Sequence, residues 1–197
     1  MMPIVQAAPL EIYNKTLYSH SNGKNLIEIE LLEQFVNDDL FTLCDATEDA
    51  LEAGGGFGWI SSPGRDELER YWQGLLMISA VKLFVGRIDG VIVGSIQLRT
   101  SPKNQEARAH VGQIGSTFVA PWARGHGVAR ALAKTVEDYA QHVDLKVLEL
   151  DVRETQTAAI SAFEHLGFVR FGENPHYAYV DGQYVRGFYY KKHLTLD

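Results

Sequence analysis

The stretch Phe118-Val119-Ala120-Pro121-Trp122-Ala123-Arg124-Gly125-His126-Gly127-Val128-Ala129-Arg130-Ala131-Leu132 constrains this chain more than any other. An apolar strand passes through a glycine-bearing turn directly into an apolar-faced helix, which the pattern predicts over about 127–142. The first N–H groups of a helix lack internal partners and lie at the positive end of its dipole. Glycines let the main chain approach a diphosphate closely, so the turn predicts an anion cradle. It is neither a P-loop, lacking Gly-Lys-Ser/Thr, nor a dinucleotide G-x-G-x-x-G.

The elements around this turn alternate in kind. Leu26–Glu30 reads as a short strand. Leu40, Cys44, Thr47 and Leu51 recur at helical spacing, and Gly54-Gly55-Gly56 stops that helix. A second helix is predicted from about Arg65 to Ile78. Two strands, Lys82–Ile88 and Val91–Leu98, flank Asp89-Gly90, a strong two-residue hairpin signal. Arg108–Val119 reads as the strand before the glycine turn, with His110 on it. Val147–Val152 is a strand, Thr157–Leu166 a helix ended by Gly167, and strands follow near Phe168–Phe171 and Val185–His193. This order predicts an α/β domain of the α+β type, a mixed, mostly antiparallel sheet flanked by helices. No linker or repeat divides residues 1–197, which read as one domain, with 1–24 as an N-terminal arm.

Charge narrows the partners. A net charge of −7 argues against nucleic acid, because phosphate binding needs a basic surface. With a single cysteine, Cys44, neither an internal disulfide nor a thiolate-rich metal site can form, and the histidines show no paired-ligand spacing, so no metal is expected. No apolar run reaches membrane-span length, which predicts a soluble, cytoplasmic protein without a membrane partner. Between Glu28 and Glu52 there are nine acids and no Lys or Arg. Such a run is ordinarily a solvated helix face, but here it precedes the hairpin and invites a second reading, given below.

Here the sequence resembles the GNAT acetyltransferases, whose pyrophosphate loop is written Q/R-x-x-G-x-G/A. Arg124, Gly127 and Ala129 fill its three defined positions. A second signature of that family, a strand end, a helix and Leu-Gly-Phe, appears as Val152-Arg153, Ile160 to His165 and Leu166-Gly167-Phe168. The resemblance covers about residues 80–193. It implies a GNAT-like sheet with acetyl-CoA as cosubstrate in a V-shaped gap between Arg108–Val119 and Val147–Val152. The diphosphate would lie on Arg124, Gly125, His126, Gly127, Val128, Ala129 and Arg130, and the pantetheine on the backbone of Thr117, Phe118 and Val119. The reaction implied is acetyl transfer to a primary amine of a small molecule by direct attack, without a protein nucleophile. Acetylation of a protein lysine or chain terminus, and a non-catalytic CoA-binding regulatory module, stand as alternatives; a homodimer is left open. Gly54–Gly58, Tyr71-Trp72 and Gly172–Tyr177 look like the branch containing tabtoxin-resistance acetyltransferases, which implies an amino-acid-like acceptor.

Three positions depart from the family pattern. Gln113 stands where many relatives carry a carboxylate, so the base must be sought elsewhere: Asp151 and Glu149, on one face of their strand opposite Leu148 and Leu150, or His110. The usual tyrosine acid is replaced by Phe163, which leaves Tyr177 or Tyr139 to supply a hydroxyl. The usual CoA-contacting asparagine is replaced by Gln156. In the family, the helices before the hairpin form one wall of the acceptor site. If acids such as Glu48 or Glu52 line it, cationic amines are favoured; the tabtoxin-like resemblance points the other way.

Overall fold

In a computed structural model, residues 16–19, 25–55, 58–102 and 104–194 are described. The chain-order elements are β1 (Thr16–Ser19), β2 (Leu26–Leu32), α1 (Asp39–Glu52), α2 (Arg65–Leu76), β3 (Val81–Ile88), β4 (Val91–Thr100), β5 (Val111–Val119), α3 (Val128–His142), β6 (Val147–Arg153), α4 (Thr157–His165), β7 (Val169–Val180) and β8 (Gln183–His193). The strands form one eight-stranded sheet in the order β1-β2-β3-β4-β5-β6-β8-β7. Every neighbouring pair is antiparallel except β5 and β6.

Strand parity assigns the two faces of the sheet. Phe84 of β3 packs on Tyr139 of α3, and a Cβ on Gly86 would meet Val128, so these residues point towards α3. Leu98, Leu145 and Leu148 crowd around Gly112 on that same side. The opposite parity places Gln97 under α2, where its side chain bonds Tyr71. The register carries this face across the sheet: Arg99 pairs with Gln113, and Gln113 with Glu149. Asp151, two residues further along β6, shares it.

Local chemistry sets the element ends. Helix α1 closes in a Schellman arrangement, Gly55 N–H donating to Ala50 O at 2.7 Å and Gly54 N–H to Leu51 O at 2.9 Å. A Cβ on Gly55 would lie 2.4 Å from that Ala50 oxygen. Gly56, the third of the predicted stop, lies outside the described residues. Asp89 (φ 49°) and Gly90 (φ 86°) form the two-residue turn expected of them. Cys44 is fully buried in the core, and burial pushes its thiol up.

Four expectations need correction. The strand predicted from Arg108 starts only at Val111, because Glu106–Arg108 is a single 3-10 turn; His110 therefore precedes β5 instead of lying on it. Gly127 is the N-cap of α3, not its first residue. The last two strands are longer than predicted and join through Asp181 (φ 50°) and Gly182 (φ 78°). Within the predicted N-terminal arm, Thr16–Ser19 is a strand paired with β2; residues 1–15 and 20–24 lie outside the described ones.

Candidate active site

The ladder between the parallel strands β5 and β6 consists of Val111–Gln113 against Val147–Glu149. Beyond Gln113 the strands part, and a V-shaped cleft opens. On its other edge β5 slips register against β4: Ser95 pairs with Phe118 and Gln97 with Gly115, leaving Ser116 and Thr117 bulged. Ser116 takes φ 44°, a conformation uncommon for a residue with a side chain. Gly94 allows the close approach here, since a Cβ would lie 2.4 Å from Phe118 O. The bulge leaves Thr117 Oγ1 buried with no hydrogen-bond partner among the described residues. An orphaned buried hydroxyl costs free energy unless something else supplies its partner.

At the wide end of the cleft, β5 runs through Ala120 and a 3-10 turn at Pro121–Ala123 into the glycine turn. Gly125 (φ 82°) and Gly127 (φ 88°) are both left-handed, so the loop's path requires glycine at each. Arg124 Nε donates to Val119 O at 3.3 Å, and His126 Nδ1 lies 3.1 Å from Ala123 O. The N-terminus of α3 has no side-chain cap, so the N–H groups of Val128, Ala129 and Arg130 start the helix facing outward from it. Ala129 and Arg130 are exposed and Val128 is buried. An uncapped helix end, two left-handed glycines, the splayed strands and the orphaned Thr117 hydroxyl together fit an extended ligand with a diphosphate at one end.

The narrow end gathers the acid–base candidates. Asp151 accepts a hydrogen bond from Gln113 Nε2 at 3.1 Å on one carboxylate oxygen and from the Tyr177 hydroxyl on the other. Tyr177 reaches β6 from β7 by passing over β8, the strand between them. Two features permit this. Asn174 pairs with Gly187 and Ala178 with Val185, so Pro175, His176 and Tyr177 bulge opposite the single residue Arg186. Gly187 then offers a bare backbone: a Cβ there would lie 2.1 Å from Tyr177 Cγ. Burial, and then the Asp151 carboxylate, hold the Tyr177 phenol well above its ordinary range.

The other candidates are placed elsewhere. Glu149 is in an ion pair with Arg108 at 2.7 Å. His110 lies in the exposed turn before β5, at the closed end of the cleft, and among the described residues its carbonyl accepts from Lys146 and Val147 N–H. Gln156 caps the start of α4 and donates to Gly54 O at 2.6 Å, tying α4 to the end of α1. Phe163 is a core residue packed edge-on to Phe168, and Tyr139 packs on Phe84. Sequence reading missed Gln113 as a holder of Asp151 and Gly187 as the floor under Tyr177. Parity with Glu149 on the neighbouring strand was the only signal for the first.

The acidic run is mostly engaged in structure. Asp39 and Glu30 grip the buried Arg87, Nη1 lying 2.6 Å from Asp39 Oδ1 and Nε 3.0 Å from Glu30 Oε2. Asp45 pairs with Arg65, Glu48 lies 3.8 Å from the same guanidinium, and Asp49 accepts from Trp122 Nε1 at 3.1 Å. Glu52 is exposed at the end of α1. Glu48, named with Glu52 as a candidate for the acceptor wall, belongs to that ion cluster.

Among the described residues no three His, Cys, Asp or Glu side chains gather to hold a metal ion, and no helix is long and apolar enough to cross a membrane.

Comparison with known proteins identifies the family and the fold. The sequence pattern of the Acetyltransferase (GNAT) family matches residues 44–168. An uncharacterized N-acetyltransferase from the hisH-hisA intergenic region of Azospirillum brasilense is 51% identical over 130 residues, 66% of this chain and 77% of that protein. The L-amino acid N-acetyltransferase AaaT of Escherichia coli is 28% identical over 110 residues, 55% of this chain and 66% of that one. A Salmonella typhimurium structure solved with its cofactor acetyl-CoA superposes with a TM-score of 0.69 at 15% identity, covering 86% of this chain and 94% of that one.

Proposed function

From the premise that this chain belongs to the GNAT acetyltransferase family, acetyl-CoA-dependent acyltransferases, we propose that it acetylates a primary amine of a small molecule. Acetyl-CoA occupies the cleft, its diphosphate on Arg124–Arg130 and its pantetheine along Thr117–Val119, where Thr117 Oγ1 gains a partner. A main-chain N–H of that bulge polarises the thioester carbonyl. The observation that carries the catalytic part is the Asp151 carboxylate held between Gln113 and Tyr177 where β5 and β6 part.

An alkylammonium has a pKa near 10 and no lone pair, so it loses one proton to water before attack, and the neutral amine must shed a second as it bonds to carbon. Asp151 takes that proton as the amine nitrogen bonds to the carbonyl carbon. Protonating Asp151 removes the negative charge that helps hold the Tyr177 phenol up, which makes Tyr177 a better acid at that moment. Tyr177 then gives its proton to the departing CoA sulfur as the carbon–sulfur bond breaks. The proton on Asp151 returns to the phenolate through their hydrogen bond. The amine proton ends on the thiol, the acetyl group on nitrogen, and the protein is restored.

Tyr71, edge-on to Trp59 at 4.8 Å, stands over Ser116 and supports a confined acceptor space under α2. This favours a small amine over a protein chain. The test is thiol release from acetyl-CoA with a panel of small amines, using native protein and Asp151→Asn. The variant should lose about 100-fold or more in kcat while its acetyl-CoA affinity stays within about 3-fold. A native rate in Asp151→Asn would remove Asp151 from the chemistry.

A further inference from the structure

Five arginines lie on or around the sheet face beneath α1 and α2, and among the described residues all but Arg99 are engaged by acids or by backbone. Arg65 is held by Asp45 and Glu48, Arg87 by Asp39 and Glu30, and Arg108 by Glu149. Arg153 donates to Gly55 O at 3.0 Å and so ties β6 to the end of α1. Arg99, near the end of β4, is exposed, and its hydrogen bond among the described residues is one from Nη2 to Gln97 Oε1 at 3.4 Å.

That contact is itself built. Gln97 is fully buried, and its amide Nε2 donates to Tyr71 Oη at 2.9 Å while its oxygen faces Arg99. Tyr71 in turn meets Ser116 Oγ at 3.4 Å in the β5 bulge. With its oxygen accepting from Gln97, the Tyr71 hydroxyl has its proton for Ser116 Oγ or for a ligand. A guanidinium and a phenol are thus held by one buried amide beside the narrow end of the cleft, with no acid on either among the described residues. Arg99 is paired with Gln113 across β4 and β5, and Gln113 holds Asp151. Two inter-strand steps separate Arg99 from β6, on the order of 10 Å between backbones. An α-amino acid lying between them would turn its amine towards Asp151 and its carboxylate towards Arg99.

We infer that the acceptor is an α-amino acid or an amine carrying a nearby carboxylate, and that Arg99 anchors the carboxylate with Tyr71 beside it. The inference rests on the small-amine reading above and specifies its substrate class. It opposes the cationic-acceptor expectation, and of the two acids that expectation named, Glu48 is engaged by Arg65. Guanidinium–carboxylate bonds are charge-assisted and commonly bidentate, so Lys is a partial substitute for Arg.

The experiment compares each of the twenty L-α-amino acids with the amine left when its carboxylate is removed, using native protein, Arg99→Met and Arg99→Lys. Native protein should prefer the amino acid of the best pair. Arg99→Met should lower kcat/KM for that amino acid about 30-fold, chiefly through KM, and change that for its decarboxylated amine by less than about 3-fold. Arg99→Lys should fall between. Acetyl-CoA affinity, read by calorimetry, should be unchanged, which shows that the variants fold. A native preference for decarboxylated amines, or an amino-acid preference that survives Arg99→Met, overturns the inference and leaves amine acetylation standing. Binding of acetyl-CoA with no acetylation of either class removes the small-amine reading as well.

Discussion

Gly187 makes the sharpest demand on the catalytic geometry. Replacing it with alanine puts a Cβ 2.1 Å from Tyr177 Cγ, 2.5 Å from Cδ2 and 2.7 Å from Tyr177 Cβ. Ordinary carbon–carbon contact needs about 3.5 Å, so the ring must retreat by roughly 1.4 Å. The phenol lies at the far end of that ring, bonded to Asp151, and cannot follow without losing the bond. Displacements of about 1 Å at a reacting group can cost about 100-fold in rate. Tyr177 is only half-buried and can swing outward, which keeps the loss of stability near 1 kcal/mol, the low end for overpacking. Gly187→Ala should therefore lower kcat about 100-fold, with acetyl-CoA affinity unchanged and a melting temperature within a few degrees of native. Tyr177→Phe should match it, and the double variant should be no slower than either single one, because both remove the same contact. The assay is steady-state thiol release for the four proteins, with thermal unfolding alongside. Native kcat in Gly187→Ala, or full additivity in the double variant, refutes the role given to Tyr177.

Two further substitutions separate the cofactor cradle from the acid. Gly127→Val forces a β-branched residue to φ 88° at the N-cap of α3, which should cost about 1–3 kcal/mol and abolish measurable acetyl-CoA binding by calorimetry. Phe163→Tyr should not speed turnover, since Phe163 is a buried core residue against Phe168, and its new hydroxyl should cost about 1–3 kcal/mol of stability in denaturant unfolding if unpartnered.

What sequence reading could and could not reach follows from the range of each interaction. The glycine turn, helix α3 and the Asp89-Gly90 hairpin are local, decided by left-handed glycines and a periodic apolar face, and they were legible. The start of β5 was misjudged because Glu106–Arg108 closes into a turn that no glycine or proline marks. The length of β7 was hidden by its own bulge: Gly172 to His176 interrupts the alternation that identifies a strand. The Asp151–Tyr177 bond was not legible. Tyr177 was named as one source of a hydroxyl among two, but joining it to Asp151 requires knowing that β8 inserts between β6 and β7. Tyr139, the other source, faces β3 from α3 and packs on Phe84.

The acidic run shows how composition misleads when burial is unknown. Nine acids without a Lys or Arg in their own segment suggested a negative wall, yet their counterions come from Arg65 and Arg87, outside the run in sequence. The two arrangements make opposite claims on the acceptor. An open wall attracts cations and weakens with salt, because exposed charges are screened over about 8 Å at physiological ionic strength. Acids already paired with arginine contribute little field at the cleft, while Arg99, on the sheet face below them, has no acid partner among the described residues. The Asp39–Arg87 pair is buried at both partners, so its acid is not available to any ligand. On the proposed reading, the sign of the acceptor site follows from how these acids are paired, and not from their number in the helices above it.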